Sequence, residues 1–405
     1  MHPDCLVLGS EDETGCSVVM QRAELPTRNG IRMKIKKTEI IPLHLPVKHA
    51  LVESGGTFSW FDHVIVKVHA DNGVYGLGEV EAYPSFERLG VETQDGIVSV
   101  LRDHLAPLLE GESPFNLNAI WKKMDHAMVG FWRVKAATDN ALYDLVGKHL
   151  GVPAYDLLGG RVRDGYVVEG VGYGISIDEP KTVARIAKGA VKHGYRQLEL
   201  KAGDPNPERD IDRLRMVRDA IGREIPIKID FNGYYDAKTA IRIIHEMEKL
   251  GVQWIEQPAK YWDLESLAMV RSATTVTIVA DEPVESPQDM MRVIRANAAD
   301  AVHIKPTTKG GLTMARQIAA VAEAAGVAIV PGTSAPTGVG MAVARTFIAT
   351  CSHLSGGAHG SPSDVLVEDI VKNPIPAGST YVDIPDAPGL GIELDEKIVK
   401  KYRTD

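Results

Sequence analysis

The chain of 405 residues contains little cysteine, few aromatic residues and no excess of positive charge. Its three cysteines, Cys5, Cys16 and Cys351, are scattered, which argues against a disulfide framework or structural zinc and favours a reducing compartment, the cytoplasm. The net charge of −9 argues against nucleic acid or an anionic membrane as partner. No apolar run approaches the roughly 18 residues of a membrane-spanning helix. The residues that are present, 44% hydrophobic and 24% charged, are typical of a globular protein.

The sequence pattern divides the chain into four segments. Residues 1–32 show no sustained periodicity, and we expect a disordered tail there. Strand-like runs followed by helical patterns predict an N-terminal α+β domain over residues 33–155. Short apolar runs that alternate with amphipathic stretches predict a barrel over residues 160–360. The proline-rich segment 361–405 is expected to pack back on the N-terminal domain.

The spacing of the predicted strand ends favours a closed barrel over an open sheet. Successive ends lie 24 to 29 residues apart, at Gly172, Lys201, Asp230, Glu256, Asp281, Lys305, Gly332 and His359. Eight strand–helix units of near-constant length are what a (β/α)₈ barrel requires. The sequence also lacks the Gly-x-Gly-x-x-Gly motif of dinucleotide-binding open sheets. The predicted fold class is therefore α/β, built on a TIM-type barrel.

Five successive predicted strand ends carry charged residues in the order lysine, acid, acid, acid, lysine. These residues are Lys201, Asp230, Glu256, Asp281 and Lys305. Because the carboxyl ends of barrel strands meet at one mouth, the three acids would repel one another unless a cation neutralised them. Oxygen ligands without sulfur or imidazole suit Mg²⁺. Asn232 and Glu282, which closely follow two of the acids, are expected to support the ligands.

The two lysines flank the acids on strands that are nearly opposite each other in the barrel. A metal-bound substrate carboxylate would then have one lysine on each face of its α-carbon. A lysine near a divalent cation in a partly dry pocket can lose its proton near neutral pH and act as a base. The metal would stabilise the negative charge of the resulting enediolate. The pattern therefore indicates an enzyme that removes a proton α to a carboxylate.

The motifs around these residues resemble the muconate lactonizing enzyme and mandelate racemase-like subgroup of the enolase superfamily. They are Leu198-Glu-Leu-Lys201-Ala-Gly, Ile229-Asp-Phe-Asn-Gly233, Ile255-Glu-Gln-Pro258, Ala280-Asp-Glu282, Ile304-Lys-Pro, Gly310-Gly-Leu312, Leu157-Leu-Gly-Gly-Arg161 and Pro388-Gly-Leu-Gly-Ile392. The resemblance covers about residues 33–400. It implies a modified TIM barrel with an α+β capping domain formed from the N- and C-terminal segments.

The resemblance also implies a chemistry. Mg²⁺ is expected on Asp230, Glu256 and Asp281, with Lys201 and Lys305 as the acid–base pair, in a homo-oligomer that in this family is often an octamer. We expect an isomerase, either a cycloisomerase or a racemase or epimerase, that acts on a small carboxylate through an enediolate. The alternative is a dehydratase acting on a hydroxy acid or a hydroxyproline-like substrate. A non-catalytic barrel is disfavoured because all five charged residues are present.

Two residues depart from the family pattern. Glu199 stands where the family usually has the first lysine of Lys-x-Lys, and an anion there would raise the pKa of Lys201 unless a cation offsets it. That cation is expected from the substrate or from an arginine of a neighbouring element. His359 stands on the eighth strand where cycloisomerases of the family carry glutamate. It could bind a carboxylate, move a proton, or be a rim histidine without a chemical role.

Further substrate contacts are expected from four residues outside these motifs. Trp60 belongs to the glycine-rich stretch Ser54–Phe61, which has the composition of a flexible lid, and Phe131 and Trp132 precede a long helix. Aromatic rings at the mouth could stack on a ring or a quaternary ammonium group, although core packing explains them equally well. Ser334 is the fourth candidate and has no catalytic-triad context.

Overall fold

The computed structural model describes residues 33–54, 56–82, 93–170 and 172–405. The tail expected over residues 1–32, with Cys5 and Cys16, lies outside the described residues. Cys351 is a buried free thiol. Within the described ranges, no helix is long and apolar enough to cross a membrane. The cytoplasmic location stays a prediction.

The described ranges contain eleven β-strands and twelve α-helices. In chain order they are β1 (Ile35–Glu53), β2 (Gly56–Ala70), β3 (Tyr75–Ala82), α1 (Gln94–Ser99), α2 (Ala106–Leu109), α3 (Leu117–Ala127), α4 (Trp132–Leu150), β4 (Gly165–Val167), α5 (Pro180–His193), β5 (Leu198–Lys201), α6 (Pro207–Ile221), β6 (Ile227–Asp230), α7 (Ala237–Lys249), β7 (Trp254–Glu256), α8 (Leu264–Ala273), β8 (Thr277–Ala280), α9 (Pro287–Ala296), β9 (Ala301–Ile304), α10 (Gly311–Ala324), β10 (Ala328–Pro331), α11 (Gly338–Thr350), β11 (Tyr381–Asp383) and α12 (Glu396–Tyr402).

The N-terminal part is an antiparallel sheet in the order β1-β2-β3 that is buried on both faces. Val64, Val66 and Val68 of β2 point to one side and join the apolar core under helices α1 to α4. Phe61 and Ile65 point to the other side and join the core shared with the barrel. Because side chains alternate along a strand, a strand buried on both faces reads as one continuous apolar run.

Six parallel strands, in the order β5-β6-β7-β8-β9-β10, form the main part of the barrel. The ring is completed by single parallel bridges rather than by long ladders. Glu169 bridges Gln197 at the start of β5, and Ile329 of β10 bridges Leu354. Val168 and Ala358 bridge each other and close the gap between these two segments. The predicted first and eighth strands therefore lie where the spacing placed them but are only minimally paired.

The C-terminal segment returns to both parts of the molecule. β11 pairs with β4 in an antiparallel ladder at the beginning of the barrel. Two further bridges join Arg403 to Leu43 and Leu366 to Val47, both on β1 of the N-terminal sheet. These bridges join the C-terminal segment to the N-terminal sheet. A capping domain formed from both segments requires such contacts.

The interior of the barrel has a small apolar floor and a polar upper part. Val279, Ala301 and Val330 pack together inside the ring, with Trp254 and Ala328 against them. Residues that alternate with these along the strands face outward and join the large core under the helices. The small apolar floor leaves the space above it to charged side chains.

The close packing of β3 against α4 provides a test of the cap. A Cβ atom added at Gly78 would lie 1.9 Å from the backbone oxygen of Ala137, so the sheet or the helix must move. We expect Gly78→Ala to lower the free energy of unfolding by about 3 kcal/mol or more. Denaturant unfolding measures this change.

Gly189→Ala is the matched control. Gly189 is an exposed position in the interior of α5, and nothing lies within 4 Å of a Cβ atom there. Alanine has the higher helix propensity, so this substitution should stabilise the protein by about 0.5–1 kcal/mol. Equal effects of the two substitutions would contradict the packing described for β3 and α4.

Candidate active site

The charged strand ends meet at one mouth of the barrel and are buried. Lys201 pairs in register with Asp230, and Asp230 with Glu256, so that three residues lie at the same level of the sheet. Asp281 and Lys305 directly follow β8 and β9. All five side chains are at most 8% exposed. The structure therefore brings together the five residues that the sequence pattern singled out.

Each lysine is paired with an acid at its own end of the row. The Lys201 ammonium nitrogen lies 2.9 Å from Asp230 Oδ2, and that of Lys305 lies 2.5 Å from Asp281 Oδ2. Lys309 makes a further ion pair of 3.0 Å with Asp281 Oδ1. Glu256 lies between these two pairs in the strand order. The two lysines are thus separated by the row of carboxylates.

Residues that follow the strands hold the carboxylates in place. The backbone N–H of Asn232 donates to Asp230 Oδ1 at 2.9 Å, and its side-chain amide donates to Glu282 Oε1 at 3.3 Å. The side-chain oxygen of Gln257 accepts from the N–H of Asp281 at 3.0 Å. Asn232 and Gln257 have φ angles of 45° and 40°, a left-handed backbone conformation that residues other than glycine seldom adopt. Such backbone strain is typical of functional sites.

A second polar layer lies directly beneath the strand ends, and Lys228 is at its centre. The Lys228 ammonium nitrogen lies 2.6 Å from Glu169, 3.0 Å from Glu199 and 2.8 Å from Glu256. All four side chains are about 1% exposed. A cation from the neighbouring strand β6 thus offsets the charge of Glu199. It is a lysine rather than the expected arginine, and Glu199 still helps to raise the pKa of Lys201 in its presence.

Two histidines lie against these carboxylates, His303 beside Glu256 and His359 beside Glu199. His303 Nδ1 lies 2.6 Å from Glu256 Oε1, and burial lowers the pKa of His303 to about 4, so the ring is neutral at neutral pH. Its ring fits against Gly332, where an added Cβ atom would lie 1.7 Å from Nε2. His359 Nε2 lies 3.1 Å from Glu199 Oε2, and its Nδ1 lies 2.9 Å from Thr333 Oγ1.

The acids differ in how strongly they hold a proton. Burial raises the pKa of Asp230 to about 8, and the neighbouring acids Glu256 and Glu199 add to this effect against the opposing charge of Lys201. Burial also opposes ionisation of Asp281, but the charges of Lys305 and Lys309 outweigh it and hold its pKa well below the usual value. The mouth is therefore a site where carboxylate charge depends on nearby cations.

Lys201 is held in its charged form in this arrangement. Burial disfavours the ammonium form, but Asp230, Glu199 and Glu53 outweigh this effect and raise the pKa of Lys201 well above its usual value. Glu53 belongs to the end of β1, and its carboxylate lies 3.9 Å from the Lys201 nitrogen. The cap therefore contributes charge to the barrel mouth.

The cavity above these residues is lined by both parts of the molecule. Leu51 and Glu53 come from the cap, and the barrel contributes Lys201, Glu199, Lys305, Ser334 and His359, among others. Three of the six predicted substrate contacts, namely Glu199, His359 and Ser334, thus line the cavity. The Ser334 hydroxyl is buried and has no hydrogen-bond partner within the described ranges, so it can bind a polar group that enters.

The three aromatic candidates lie elsewhere. Trp60 is 53% exposed, and its ring lies 5.5 Å from that of His44 on the outer part of the cap. Trp132 lies 6.1 Å from the Trp121 ring and lines a separate cleft beside α3 and α10. Phe131 precedes α4 with a left-handed φ of 52° and is 37% exposed. None of the three is among the residues that line the cavity above the lysines.

Lys228, His303 and Glu169 do not lie at strand ends and were not predicted from the sequence. A usable signal was present, because residues two apart on a strand face the same side. Lys228 precedes Asp230 by two residues, and His303 precedes Lys305 by two residues. Polar residues at such positions in otherwise apolar barrel strands point into the barrel interior. Glu53 had no comparable signal, since only the docking of the cap brings it to the mouth.

Comparison with known proteins agrees with this geometry. Residues 35–159 match the model of the mandelate racemase / muconate lactonizing enzyme N-terminal domain, and residues 182–398 match the enolase C-terminal domain-like model. Together these two matches span most of the chain. The chain belongs to the mandelate racemase/muconate lactonizing enzyme family. The predicted membership of the enolase superfamily is thereby confirmed.

Several relatives in this family are isomerases. The chain is 30% identical to the N-succinyl-L-Arg/Lys racemase of Bacillus cereus, with 91% of this chain and 98% of the relative covered. It is 34% identical to an L-Ala-D/L-Glu epimerase of Clostridium acetobutylicum, with 89% and 99% covered. Others include cycloisomerases. The predicted enzyme class, an isomerase of the enolase superfamily, is confirmed.

Solved structures of this family have the same architecture. The crystal structure of the Bacillus cereus racemase matches with a TM-score of 0.86 and 28% identity over 92% of this chain and 98% of that one. A dipeptide epimerase of Enterococcus faecalis, solved with Mg and L-Leu-L-Tyr, matches with a TM-score of 0.84 and 29% identity over 89% and 99%. The predicted fold class, a TIM-type barrel with an α+β cap, is confirmed.

Two of the three predicted metal ligands lie in a group of side chains that could hold a metal ion. Oxygen atoms of Glu256 and Asp281 and a ring nitrogen of His303 lie within 4.8 Å of one another, and Asp230 is next to Glu256 in the sheet. A second group of ligand type, formed by Glu169, Glu199 and His359, lies in the lower layer. Lys228 lies against both acids of this lower group and also against Glu256 of the upper one. The upper group is the candidate metal site because its acids lie at the strand ends between Lys201 and Lys305.

The central position of Lys228 predicts a large effect of its removal. Lys228→Met leaves three buried carboxylates without their shared cation and should lower the free energy of unfolding by about 3–5 kcal/mol. The deficit should shrink as the pH is lowered below about 8, because burial already raises the pKa of Glu169 to about 8 and protonation removes the charge that has lost its partner.

Urea unfolding at several pH values measures both effects. Lys249→Met is the matched control, because Lys249 is exposed and its partner Glu246 lies on the same helix. The control should leave the unfolding midpoint unchanged at every pH. A deficit for Lys228→Met that is independent of pH would contradict the electrostatic role.

Proposed function

We propose that this chain is a Mg²⁺-dependent racemase or epimerase that removes the proton from the α-carbon of a small carboxylate and returns one to the opposite face. The observation that carries the proposal is the placement of Lys201 and Lys305 at the two ends of a buried row of carboxylates. Two acid–base groups on opposite sides of one carbon are what inversion of configuration requires.

Asp230, Glu256 and Asp281 would hold Mg²⁺. The ion would bind the substrate carboxylate and stabilise the charge that develops on it when the α-proton leaves. One lysine, as the neutral amine, takes the proton, and the other, as the ammonium ion, donates a proton to the opposite face. A cation held by Asp230 and Glu256 would lower the raised pKa of Lys201 and so permit its use as the base. Both lysines are buried, which excludes water and strengthens the electrostatic interactions within the site.

The position of His359 favours racemisation or epimerisation over cycloisomerisation. It occupies the strand position where cycloisomerases of the family carry glutamate, and its ring nitrogens are engaged by Glu199 and Thr333. A dehydratase that uses the same enediolate chemistry is the alternative. It would release water and form a 2-keto acid instead of inverting the α-carbon.

We further propose that the substrate is an amino-acid derivative with a free carboxylate. Relatives named for N-succinylated amino acids and for dipeptides support this class. The cap residues Leu51 and Glu53 would contact the part of the substrate that varies, since they enter the cavity from outside the barrel. A homo-oligomeric assembly is also proposed, on family resemblance.

Isotope exchange tests the reaction. The enzyme is incubated with Mg²⁺ in D₂O and single enantiomers of N-succinyl amino acids and dipeptides. The panel also contains cis,cis-muconate to detect cycloisomerisation and hydroxyprolines to detect dehydration. We expect deuterium at the α-carbon, measured by NMR, together with inverted configuration, measured by chiral chromatography. A lactone product would favour cycloisomerisation, and a 2-keto acid would establish the dehydratase.

Substitution of either lysine tests the acid–base pair. Lys201→Ala and Lys305→Ala should each slow inversion by about 10²–10⁴-fold, because a positioned proton-transfer group is lost. Each variant should still exchange the α-proton of the one enantiomer that faces the remaining lysine. Lys249→Ala is the control and should keep full activity. Unchanged inversion in both active-site variants would refute the mechanism.

Metal binding tests the ligand set without requiring turnover. Calorimetric titration with Mg²⁺ should show one site in the wild-type protein and at least about 10-fold weaker binding in Asp281→Asn, because a charged ligand is lost. Asp212→Asn, an exposed acid paired with Arg215 on α6, is the matched control. Equal affinities in both variants would rule out Asp281 as a ligand.

A further inference from the structure

We propose that His359 and Glu199 position the Lys201 amine for proton transfer on one face of the substrate. The inference rests on the proposed function and adds to it a residue role that the strand-end pattern does not contain. The structural basis is a chain of contacts that runs from Thr333 through His359 and Glu199 to Lys201. All four residues lie inside the barrel and are among those that line the cavity.

Glu199 is held on both of its carboxylate oxygens. Oε1 lies 2.7 Å from the Lys201 nitrogen, whereas Oε2 lies 3.0 Å from the Lys228 nitrogen and 3.1 Å from His359 Nε2. Its side chain is 1% exposed. Two partners therefore orient the inner oxygen, and the outer oxygen is directed at Lys201.

The orientation of His359 follows from its partners. A carboxylate at Glu199 can only accept a hydrogen bond, so His359 Nε2 must carry the hydrogen. Burial also keeps the pKa of His359 below its usual value, which favours the neutral ring. In that tautomer Nδ1 accepts the hydrogen bond from the Thr333 hydroxyl at 2.9 Å. The rings of Tyr173 and His303, with centroids 6.0 and 6.2 Å away, pack edge-on against His359.

Glu199 differs from the other close carboxylate partner of Lys201. Asp230 lies 2.9 Å from the Lys201 nitrogen but is also a proposed Mg²⁺ ligand, so its oxygens are shared with the metal. Glu199 has no metal-binding role in the upper group of ligands. Its contact with Lys201, at 2.7 Å, is closer than that of Glu53 at 3.9 Å, the other carboxylate that is not a proposed metal ligand. Glu199, which replaces the first lysine of Lys-x-Lys, thus orients the Lys201 side chain.

The chain of contacts serves one end of the site. It leads to Lys201 on β5, whereas Lys305 lies after β9 and pairs with Asp281. Disturbing His359 should therefore impair proton transfer on the Lys201 face and leave transfer on the Lys305 face intact. A residue needed only for folding would affect both faces equally. This difference makes the positioning role testable.

Enantiomer-resolved exchange provides the test. The α-proton exchange of each enantiomer of a substrate that the enzyme turns over is measured in D₂O. His359→Leu should slow exchange by about 10- to 100-fold for one enantiomer, the one that Lys201→Ala also fails to exchange. A loss of this size is expected for a misplaced catalytic group. Exchange of the other enantiomer should stay within about twofold of wild type. His359→Gln, whose amide can still donate to Glu199, should restore most of the lost rate.

Thr333→Val is a second variant that retains the histidine. It removes the hydroxyl that orients the ring and should produce a smaller loss with the same preference for one enantiomer. Thermal unfolding of each variant checks that the protein is folded. Equal losses for both enantiomers in the folded variants, or no recovery in His359→Gln, would overturn the proposal.

Nitrogen NMR of protein with labelled histidine gives a readout without substrate. The signals that disappear in His359→Gln belong to His359 and should show a hydrogen on Nε2 and a bare Nδ1. A hydrogen on Nδ1 alone would overturn the proposal, because that ring could not donate to Glu199. If the wild-type enzyme exchanges no substrate of the panel while the NMR result holds, the proposed function fails, and the positioning role fails with it. The contact chain would then be only structural.

Discussion

The balance of charge inside the barrel is the constraint on which the rest of the structure depends. Lys228 contacts three carboxylates, and all four groups are almost fully buried. An unpaired charge at such depth costs several kcal/mol, so each acid in the lower layer requires a nearby cation. In the lower layer Lys228 provides that cation, and burial still raises the pKa of Glu169 to about 8. The upper layer, with Asp230, Glu256 and Asp281, has lysines at its ends and is the layer open to the cavity.

Buried acids of the cap help to define the rim of the cavity by accepting hydrogen bonds from backbone N–H groups of the barrel. Glu79 of β3 accepts hydrogen bonds from the N–H groups of Thr337 and Gly340 at 2.8 Å each, at the beginning of α11. Glu81 accepts from the N–H of Ala335 at 2.9 Å. These acids bind a loop whose residue Ser334 lines the cavity. The cap thus contributes its own residues and also orients a loop of the barrel.

The fold and the centre of the site were largely predictable from the sequence, since both follow from local periodicity. Barrel strands end at regular intervals, and their ends meet at one mouth, so Lys201, Asp230, Glu256, Asp281 and Lys305 could be grouped without coordinates. The same periodicity, applied two residues earlier on each strand, also contains Lys228 and His303. The aromatic candidates were less predictable, because a tryptophan such as Trp60 fits a lid, an outer surface or a core equally well by composition.

The sequence by itself determined the architecture, the family and the row of charged strand ends, because each of these depends on spacing along one chain. The tertiary structure decided which group neutralises Glu199, how His359 is oriented and that Glu53 reaches the barrel mouth. These three contacts join residues 29 to 160 positions apart or cross between the cap and the barrel. Sequence distance carries no information about such pairs, since closure of the ring and docking of the cap bring them together.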